Sequence, residues 1–305
     1  MNRPDVLVLG GGGVLGEAWL RSALAGLEAA SGWDLRECDA FVGTSAGSIV
    51  AAVVAAGRRP EVAAGVAAAW QEAAEGSAAT APAEPGGLRR LAGGTAAALT
   101  APIAPLAAAG LQPGRAALRA AILRRGPTPT RTIPRLGRAL RELGATFDGR
   151  LRVTAVERGS GRRVAFGAPG APPATVAEAV LASCAVPWVF RPVTIGGREY
   201  VDGGAWSAAN LDLAPVRRGT RVLCLNPTAS PRLARDRLGA VRAFARTTAA
   251  TEALVLRRRG AEVTIVAPDT ATVAAIGPDL FAQGRRADVE AAGFAQGRAL
   301  GAAAA

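Results

Sequence analysis

The first sixty residues repeat one unit twice: a short aliphatic strand, a glycine-rich turn and a helix. Val6–Leu9 runs into four consecutive glycines, and a helical pattern follows over about Glu17–Ala30. Ala40–Val42 runs into a second glycine turn, after which Ser48–Ala56 is apolar on every side. Strands that alternate with helices in this way are typical of a parallel sheet. We therefore predict an α/β fold with a mostly parallel central sheet.

The rest of the chain extends this pattern and shows no internal repeat or clear linker, so we predict one domain over residues 5–301. Residues 76–114 are rich in Ala, Pro, Gly and Thr and have little periodicity. We interpret them as a lid or substrate-access insertion, with a core-packing insertion or a membrane span as the alternatives. Later runs predict strands at Leu151–Val156, Arg162–Phe166, Arg198–Val201, Val222–Leu225 and Val263–Val266, and helices at Thr132–Leu143 and Val176–Ala182.

The chain of 305 residues contains no histidine. This excludes a Ser-His-Asp triad, a Cys-His pair and a histidine metal site. All 36 basic residues are arginine, and the net charge is +12. The densest run, Arg257–Arg259, has no aromatic neighbour, so we expect no nucleic-acid partner. Peripheral contact with an anionic membrane and a merely solvated basic surface both stay open.

Three cysteines, Cys38, Cys184 and Cys224, lie far apart and form no CxxC pair, so we expect buried thiols rather than disulfides or a zinc site. Without histidine or an acidic ligand cluster, we expect no metal and no cofactor. Strand-like sequence begins by about Asp5, which leads us to expect no signal peptide and a cytoplasmic location, peripheral to the membrane if the basic surface binds lipid. The oligomeric state stays open.

Residues 43–47, GTSAG, fit the G-x-S-x-G nucleophile elbow, in which a serine stands on a sharp turn between a strand and a helix. Gly43 and Gly47 flank Ser45 where the turn leaves no room for a Cβ. The following helix directs its positive end toward the serine. The alternative is a glycine turn with an incidental serine.

Residues 11–16 match G-x-G-x-x-G, which also occurs in dinucleotide-binding loops. That function requires an acidic residue at the end of the second strand, but here this strand leads into the serine elbow. The glycine loop can instead present backbone N–H groups to an oxyanion. Nucleotide binding and a purely structural turn are the alternatives.

Asp202 ends a predicted strand and precedes Gly203 and Gly204. Asp-Gly-Gly is common in turns, but a serine hydrolase without histidine needs another base, and Asp202 is the candidate. Asn210 and Asp212 follow this turn and either brace it or serve as ordinary capping and solvated groups.

These motifs occur in one order: glycine loop, GTSAG, the segment ASCAVPWVFRP at residues 182–192, and YVDGG at residues 200–204. Together they resemble the patatin-like phospholipase family over roughly residues 5–212. The resemblance implies a three-layer α/β/α fold and hydrolysis of fatty-acyl esters of lipids by a Ser–Asp dyad. Transfer of the acyl group to an alcohol, a nucleotide-binding protein and an inactive binding module are the alternatives.

Matched by motif, the resemblance assigns Ser45 as nucleophile, Asp202 as base and the amides of Gly11, Gly12 and Gly13 as the oxyanion hole. Supporting glycines in these motifs are Gly16, Gly43, Gly47, Gly203 and Gly204. Leu15 stands where the family usually carries Lys or Arg, which weakens the expectation of phospholipid preference more than that of esterase activity. Because free aspartate titrates at about 3.9, we expect no step near 6.5 in a pH–rate profile, although burial would make Asp202 more basic.

Overall fold

The computed structural model describes residues 2–70, 116–125, 128–230 and 239–304. The insertion predicted at 76–114 lies outside these ranges and stays a prediction. The described strands are β1 (Val6–Leu9), β2 (Ala40–Gly43), β3 (Leu151–Glu157), β4 (Arg163–Phe166), β5 (Val193–Ile195), β6 (Arg198–Asp202), β7 (Arg221–Leu225) and β8 (Glu262–Val266). The labelled helices are α1 (Gly13–Ser31), α2 (Ala46–Ala55), α3 (Ala116–Arg125), α4 (Pro134–Leu143), α5 (Val176–Ser183), α6 (Gly239–Arg258), α7 (Thr270–Ile276) and α8 (Arg286–Ala302).

The described strands form one sheet in the order β5-β6-β3-β2-β1-β7-β8, with β4 also paired to β3. β1, β2, β3, β7 and β8 run parallel, which confirms the predicted α/β class. β4, β5 and β6 pair antiparallel. Gly196 and Gly197 join β5 to β6, and their φ angles of 56° and 76° suit the tight turn that antiparallel neighbours require.

Alternate residues of the central strands enter separate apolar clusters on the two faces of the sheet. Val6 and Val8 cluster with Leu256 and other residues of α6 on one face. Leu7 and Leu9 cluster with apolar residues of α1, α2 and α5 on the other face. The sheet is therefore covered on both sides, and the arrangement is the expected three-layer α/β/α fold.

A stripe of glycines on α8 allows it to touch the backbone of α1. Gly293, Gly297 and Gly301 recur at every fourth position, which is one face of a helix. A Cβ at Gly297 would lie 2.0 Å from the Ala23 carbonyl oxygen, and one at Gly301 would lie 2.8 Å from the Leu27 oxygen. The close approach fixes the C-terminal helix against the helix that follows the glycine loop.

Gly297→Ala should therefore destabilise the protein by roughly 1–3 kcal/mol, because the added methyl group overpacks the α1–α8 contact. Thermal unfolding followed by circular dichroism measures the effect. The matched control is Gly65→Ala, since Gly65 is exposed in a helical segment with no atom within 4 Å of a new Cβ. The control should be neutral or more stable by up to about 1 kcal/mol. Equal melting temperatures for Gly297→Ala and wild type would contradict the close packing.

The prediction of buried thiols can be compared directly with the structure. Cys38, Cys184 and Cys224 are all buried free thiols, as predicted. Burial raises the pKa of Cys38 to about 12, so this thiol stays protonated at neutral pH. In the described ranges, none of the helices combines the length and apolar character that crossing a bilayer demands.

Candidate active site

The sheet register brings the turn that carries Ser45 and the turn that carries Asp202 to the same level along the strands. β1 and β2 are parallel neighbours, so the glycine loop and the serine elbow leave the sheet at the same edge. Gly43 pairs with Val153 of β3, and Ala155, two residues further along β3, pairs with Asp202. Ser45 likewise lies two residues beyond Gly43. The chain therefore presents Ser45 and Asp202 at one level above the sheet.

Ser45 stands at the apex of a strained turn between β2 and α2. Its backbone has φ 50° and ψ −122°, a conformation that residues other than glycine rarely adopt. A Cβ at Gly43 would lie 2.5 Å from Ser48 Cα, and a Cβ at Gly47 would lie 2.1 Å from the Leu9 oxygen. Both flanking glycines are thus required by contact with neighbouring backbone, as the elbow motif predicts.

Two serines hold the backbone of the strained residue on both sides. The Ser45 N–H donates a hydrogen bond to Ser183 Oγ at 2.8 Å. Ser48 Oγ donates to the Ser45 carbonyl oxygen at 2.6 Å. Neither role follows from the sequence, although Ser183 lies within the conspicuous ASCAVPWVFRP segment. Its position there was the one available signal.

Asp202 is buried, with 5% of its surface exposed, and the Ser45 side chain lies close enough to lower the pKa of its carboxyl group. The Gly204 N–H donates a hydrogen bond to Asp202 Oδ1 at 2.7 Å. Burial raises the pKa of Asp202 to about 6, against the opposing effects of the Ser45 side chain and the Gly204 N–H. We therefore expect a step near pH 6 in the pH–rate profile, where the sequence alone led us to expect none near 6.5.

The two glycines after Asp202 let the chain turn tightly against β3. A Cβ at Gly203 would lie 2.4 Å from Thr154 Oγ1 and 2.7 Å from the Thr154 carbonyl oxygen. A Cβ at Gly204 would lie 3.0 Å from Asp202 Oδ1. A larger residue at either position would displace the carboxylate.

Gly11 of the glycine loop lies directly beside the serine, since a Cβ there would be 3.2 Å from Ser45 Cβ. Its N–H, however, donates to the Ala208 carbonyl oxygen at 2.8 Å. The Gly11 amide is therefore already used, and the expectation that it serves the oxyanion hole is not met in this structure. Gly11 instead fixes the loop against the segment after Asp202.

Gly12 and Gly13 precede and begin α1, where helix amides lack partners within the helix. No described residue accepts a hydrogen bond from either amide. The same holds for the amide of Ala46, which begins α2 directly after Ser45 and was not among the residues predicted for the oxyanion hole. These three N–H groups, beside the positive ends of two helices, are available to an anionic oxygen.

Gly16 and Leu15 complete the loop and are both buried. The Gly16 N–H donates to the Gly12 oxygen at 2.9 Å, and a Cβ at Gly16 would meet Pro227 at 3.2 Å. Leu15 is fully buried, and its N–H donates to the Leu280 oxygen at 2.9 Å. The loop position that is usually basic is therefore part of the apolar core here.

Asn210 and Asp212 belong to a polar cluster next to the two turns, in which Asn210 is buried and Asp212 is partly exposed. Asn210 is fully buried, and its side-chain nitrogen lies 3.1 Å from Thr44 Oγ1. Asp212 forms a bidentate ion pair with Arg163 at 2.7 and 2.6 Å. The Asn210 contact fits bracing of the turn, whereas Asp212 is partly exposed and contacts Arg163 rather than the turn. In the residues that the structure covers, no cluster of three or more Cys, Asp or Glu side chains could hold a metal ion.

The fold and the elbow define an α/β protein with a strained, buried serine beside a buried carboxylate. The patatin-like phospholipase family model matches residues 7–215. Among solved structures, the chain is similar to VipD from Legionella pneumophila at 14% identity, with 98% of this chain and 67% of that chain covered and a TM-score of 0.41. No curated protein gives a significant match.

The chain belongs to the patatin-like phospholipase family, because the family model covers more than half of it. This confirms the resemblance inferred from the four motifs. Membership supports lipid acyl hydrolase activity in general terms.

Proposed function

We propose that the protein is a serine acyl hydrolase that cleaves fatty-acyl esters of lipids with Ser45 as nucleophile and Asp202 as general base. The observation that carries this proposal is the position of the Ser45 side chain beside the buried Asp202 carboxyl group, close enough to lower the pKa of that group. A nucleophilic serine needs a base nearby, and Asp202 is the carboxyl group beside Ser45. The chain contains no histidine that could act in its place.

In the acylation step, Ser45 Oγ attacks the ester carbonyl carbon while its proton passes to Asp202. The carbonyl oxygen becomes an oxyanion, which the amides of Gly12 and Gly13 stabilise, with the Ala46 amide as a third donor. Collapse of the tetrahedral intermediate breaks the bond to the alcohol oxygen. Asp202 returns its proton to that oxygen, and the alcohol leaves an acyl-enzyme behind.

Deacylation repeats these roles with water as the nucleophile. Asp202 accepts a proton from water, which attacks the acyl carbon of the Ser45 ester. The same backbone amides hold the second oxyanion, and the fatty acid leaves as Ser45 recovers its proton. Because fixed backbone amides need no reorganisation during the reaction, their contribution is large: loss of one oxyanion donor costs about 10²- to 10³-fold in rate in comparable enzymes.

The raised pKa of Asp202 predicts how the rate of hydrolysis depends on pH. The carboxyl group can accept a proton only when ionised, so activity should fall as the pH drops through about 6, where Asp202 titrates. Initial rates on a soluble ester between pH 4 and 9 should rise with a slope of about one in log rate and then level off. An unperturbed aspartate would place this step near 3.9 instead.

The control for the pH profile is the residual rate of Asp202→Asn, which should lack the step. Tryptophan fluorescence at each pH separates titration from unfolding. A wild-type rate that stays constant down to pH 4.5, or an unchanged step in Asp202→Asn, would contradict the assignment of Asp202 as the base.

Substrate class is tested by the fatty acid released from p-nitrophenyl esters of increasing chain length, lysophospholipids and phospholipids. We expect turnover of acyl esters with little dependence on the phosphate group, because Leu15 is buried where the family usually has a basic residue. Product analysis in the presence of a lipid alcohol distinguishes hydrolysis from acyl transfer. Absence of turnover on every ester would overturn the proposal. A cytoplasmic location with peripheral contact to anionic membranes belongs to the same proposal.

A further inference from the structure

Asn210 is fully buried, whereas a residue that only caps a helix is usually exposed. It has no exposed surface and a left-handed backbone, with φ 50° and ψ 37°. It precedes the short 3₁₀ helix Leu211–Leu213 but makes no side-chain cap to it. Because its side-chain amide is buried and does not cap this helix, it must form hydrogen bonds with other groups.

Those partners adjoin both residues of the proposed dyad. Asn210 Nδ2 donates to the Ser207 carbonyl oxygen at 2.6 Å and lies 3.3 Å from the Gly203 carbonyl oxygen, directly after Asp202. The same nitrogen lies 3.1 Å from Thr44 Oγ1, directly before Ser45, and 3.3 Å from Thr154 Oγ1. One side chain therefore connects the turn that carries the nucleophile with the turn that carries the base.

The orientation of the amide is fixed from its other end. Arg163 donates to Asn210 Oδ1 at 3.1 Å, and Asp212 holds the same guanidinium in a bidentate pair. The Leu211 N–H donates to Glu252 Oε2 at 2.9 Å, which anchors the next residue to α6. Since arginine only donates, the amide oxygen must face Arg163 and the NH₂ group must face the two turns.

We propose that Asn210 is a positioning residue that sets the distance between Ser45 Oγ and the Asp202 carboxylate. It contacts neither substrate nor reacting atoms, and it acts through Thr44 and Gly203. The inference rests on the proposed function, since the geometry it controls is that of the Ser–Asp pair. Misplacement of a reacting group by about 1 Å costs on the order of 10²-fold in rate. Loss of Asn210 should therefore lower kcat while substrate affinity is retained.

The test compares two variants that preserve the left-handed backbone. Asn210→Gly removes the side chain, and glycine adopts this conformation without strain. Asn210→Asp keeps the shape but replaces the NH₂ donors by an acceptor. Both should lower kcat and the rate of fluorophosphonate labelling by about 10- to 100-fold, with KM within about threefold of wild type. Gly297→Ala is the stability control, because it disturbs the remote α1–α8 contact.

A double-variant cycle separates positioning from a general loss of structure. Thr44→Val keeps the branched shape and removes the hydroxyl that faces Asn210. If Asn210 acts through Thr44, the double variant should be little worse than Asn210→Gly alone, since the two effects are coupled. Independent effects would multiply instead.

The inference is overturned if Asn210→Gly and Asn210→Asp keep kcat within about threefold of wild type, or lose no more than Gly297→Ala does. A double variant whose loss of kcat equals the product of the losses from Asn210→Gly and Thr44→Val would also overturn it. An inert and unlabelled wild type would overturn the proposed function itself, and the positioning role with it. The wild-type result therefore distinguishes the two failures.

Discussion

Replacing Ser45 by alanine should reduce ester hydrolysis on the order of 10⁴- to 10⁶-fold. The alanine variant lacks the atom that forms the acyl-enzyme, and only the residual catalysis by the oxyanion amides and by substrate binding remains. Because the turn stays intact, the melting temperature should change little. Release of p-nitrophenol from the best ester of the chain-length series measures the loss.

The matched control is Ser31→Ala at the end of α1. Ser31 Oγ donates to the Leu27 oxygen at 2.7 Å, so this variant also removes a serine hydroxyl from a hydrogen bond but does so far from the elbow. It should retain wild-type activity. Ser45→Ala with more than about a tenth of wild-type kcat would show that another group is the nucleophile.

Asp202→Asn should lower kcat about 10²- to 10⁴-fold, which is the usual contribution of a general base. Asparagine keeps the shape and can still accept the Gly204 hydrogen bond, but it cannot take the proton of Ser45. The loss should appear in both acylation and deacylation, so no acyl-enzyme should accumulate. Single-turnover and steady-state rates with the same ester measure both steps.

The same substitution should increase stability, and the sign follows from the raised pKa. Burial makes the folded protein prefer the protonated carboxyl, so its stability falls by roughly 3 kcal/mol in all as the pH rises from about 4 to about 6, and it stays lower at higher pH. A neutral asparagine side chain mimics the protonated form. Asp202→Asn should therefore be more stable than wild type at pH 8, with the difference vanishing below about pH 4. A variant that is both inactive and less stable at pH 8 would indicate a structural role for Asp202.

Much of the fold follows from short-range pattern. Val6–Leu9 is a strand with the bounds that its aliphatic run predicts, and Val176–Ala182 falls inside α5. Arg198–Val201 was predicted as a strand and falls inside β6, but β5, the antiparallel direction of β4, β5 and β6, and the glycine stripe of α8 were not predicted. Strand direction depends on pairing between residues far apart in sequence. The spacing of the α8 glycines is visible in the sequence, but it does not show that α1 is the helix that packs against them.

The residues of the candidate site also fall into two groups: those that the sequence predicts and those that only the folded structure brings together. Glycine spacing predicted Ser45, because a tight turn excludes Cβ atoms, a rule that acts within a few residues. Asp202 was predicted from the absence of histidine, since the Asp-Gly-Gly turn alone is common. The partners Ser183 and Thr154 are distant in sequence, so only the folded chain brings them to Ser45 and Thr44. The use of the Gly11 amide by Ala208 also depends on such a contact, which is why sequence alone could not exclude that amide from the oxyanion hole.

The most direct test of the Ser45–Asp202 dyad is fluorophosphonate labelling followed by peptide mapping of the modified serine. Wild type should carry one adduct on Ser45, Ser45→Ala should carry none, and Asp202→Asn should label more slowly by about 10²-fold or more. An adduct on a different serine, or an unlabelled wild type that still hydrolyses esters, would contradict the proposed dyad.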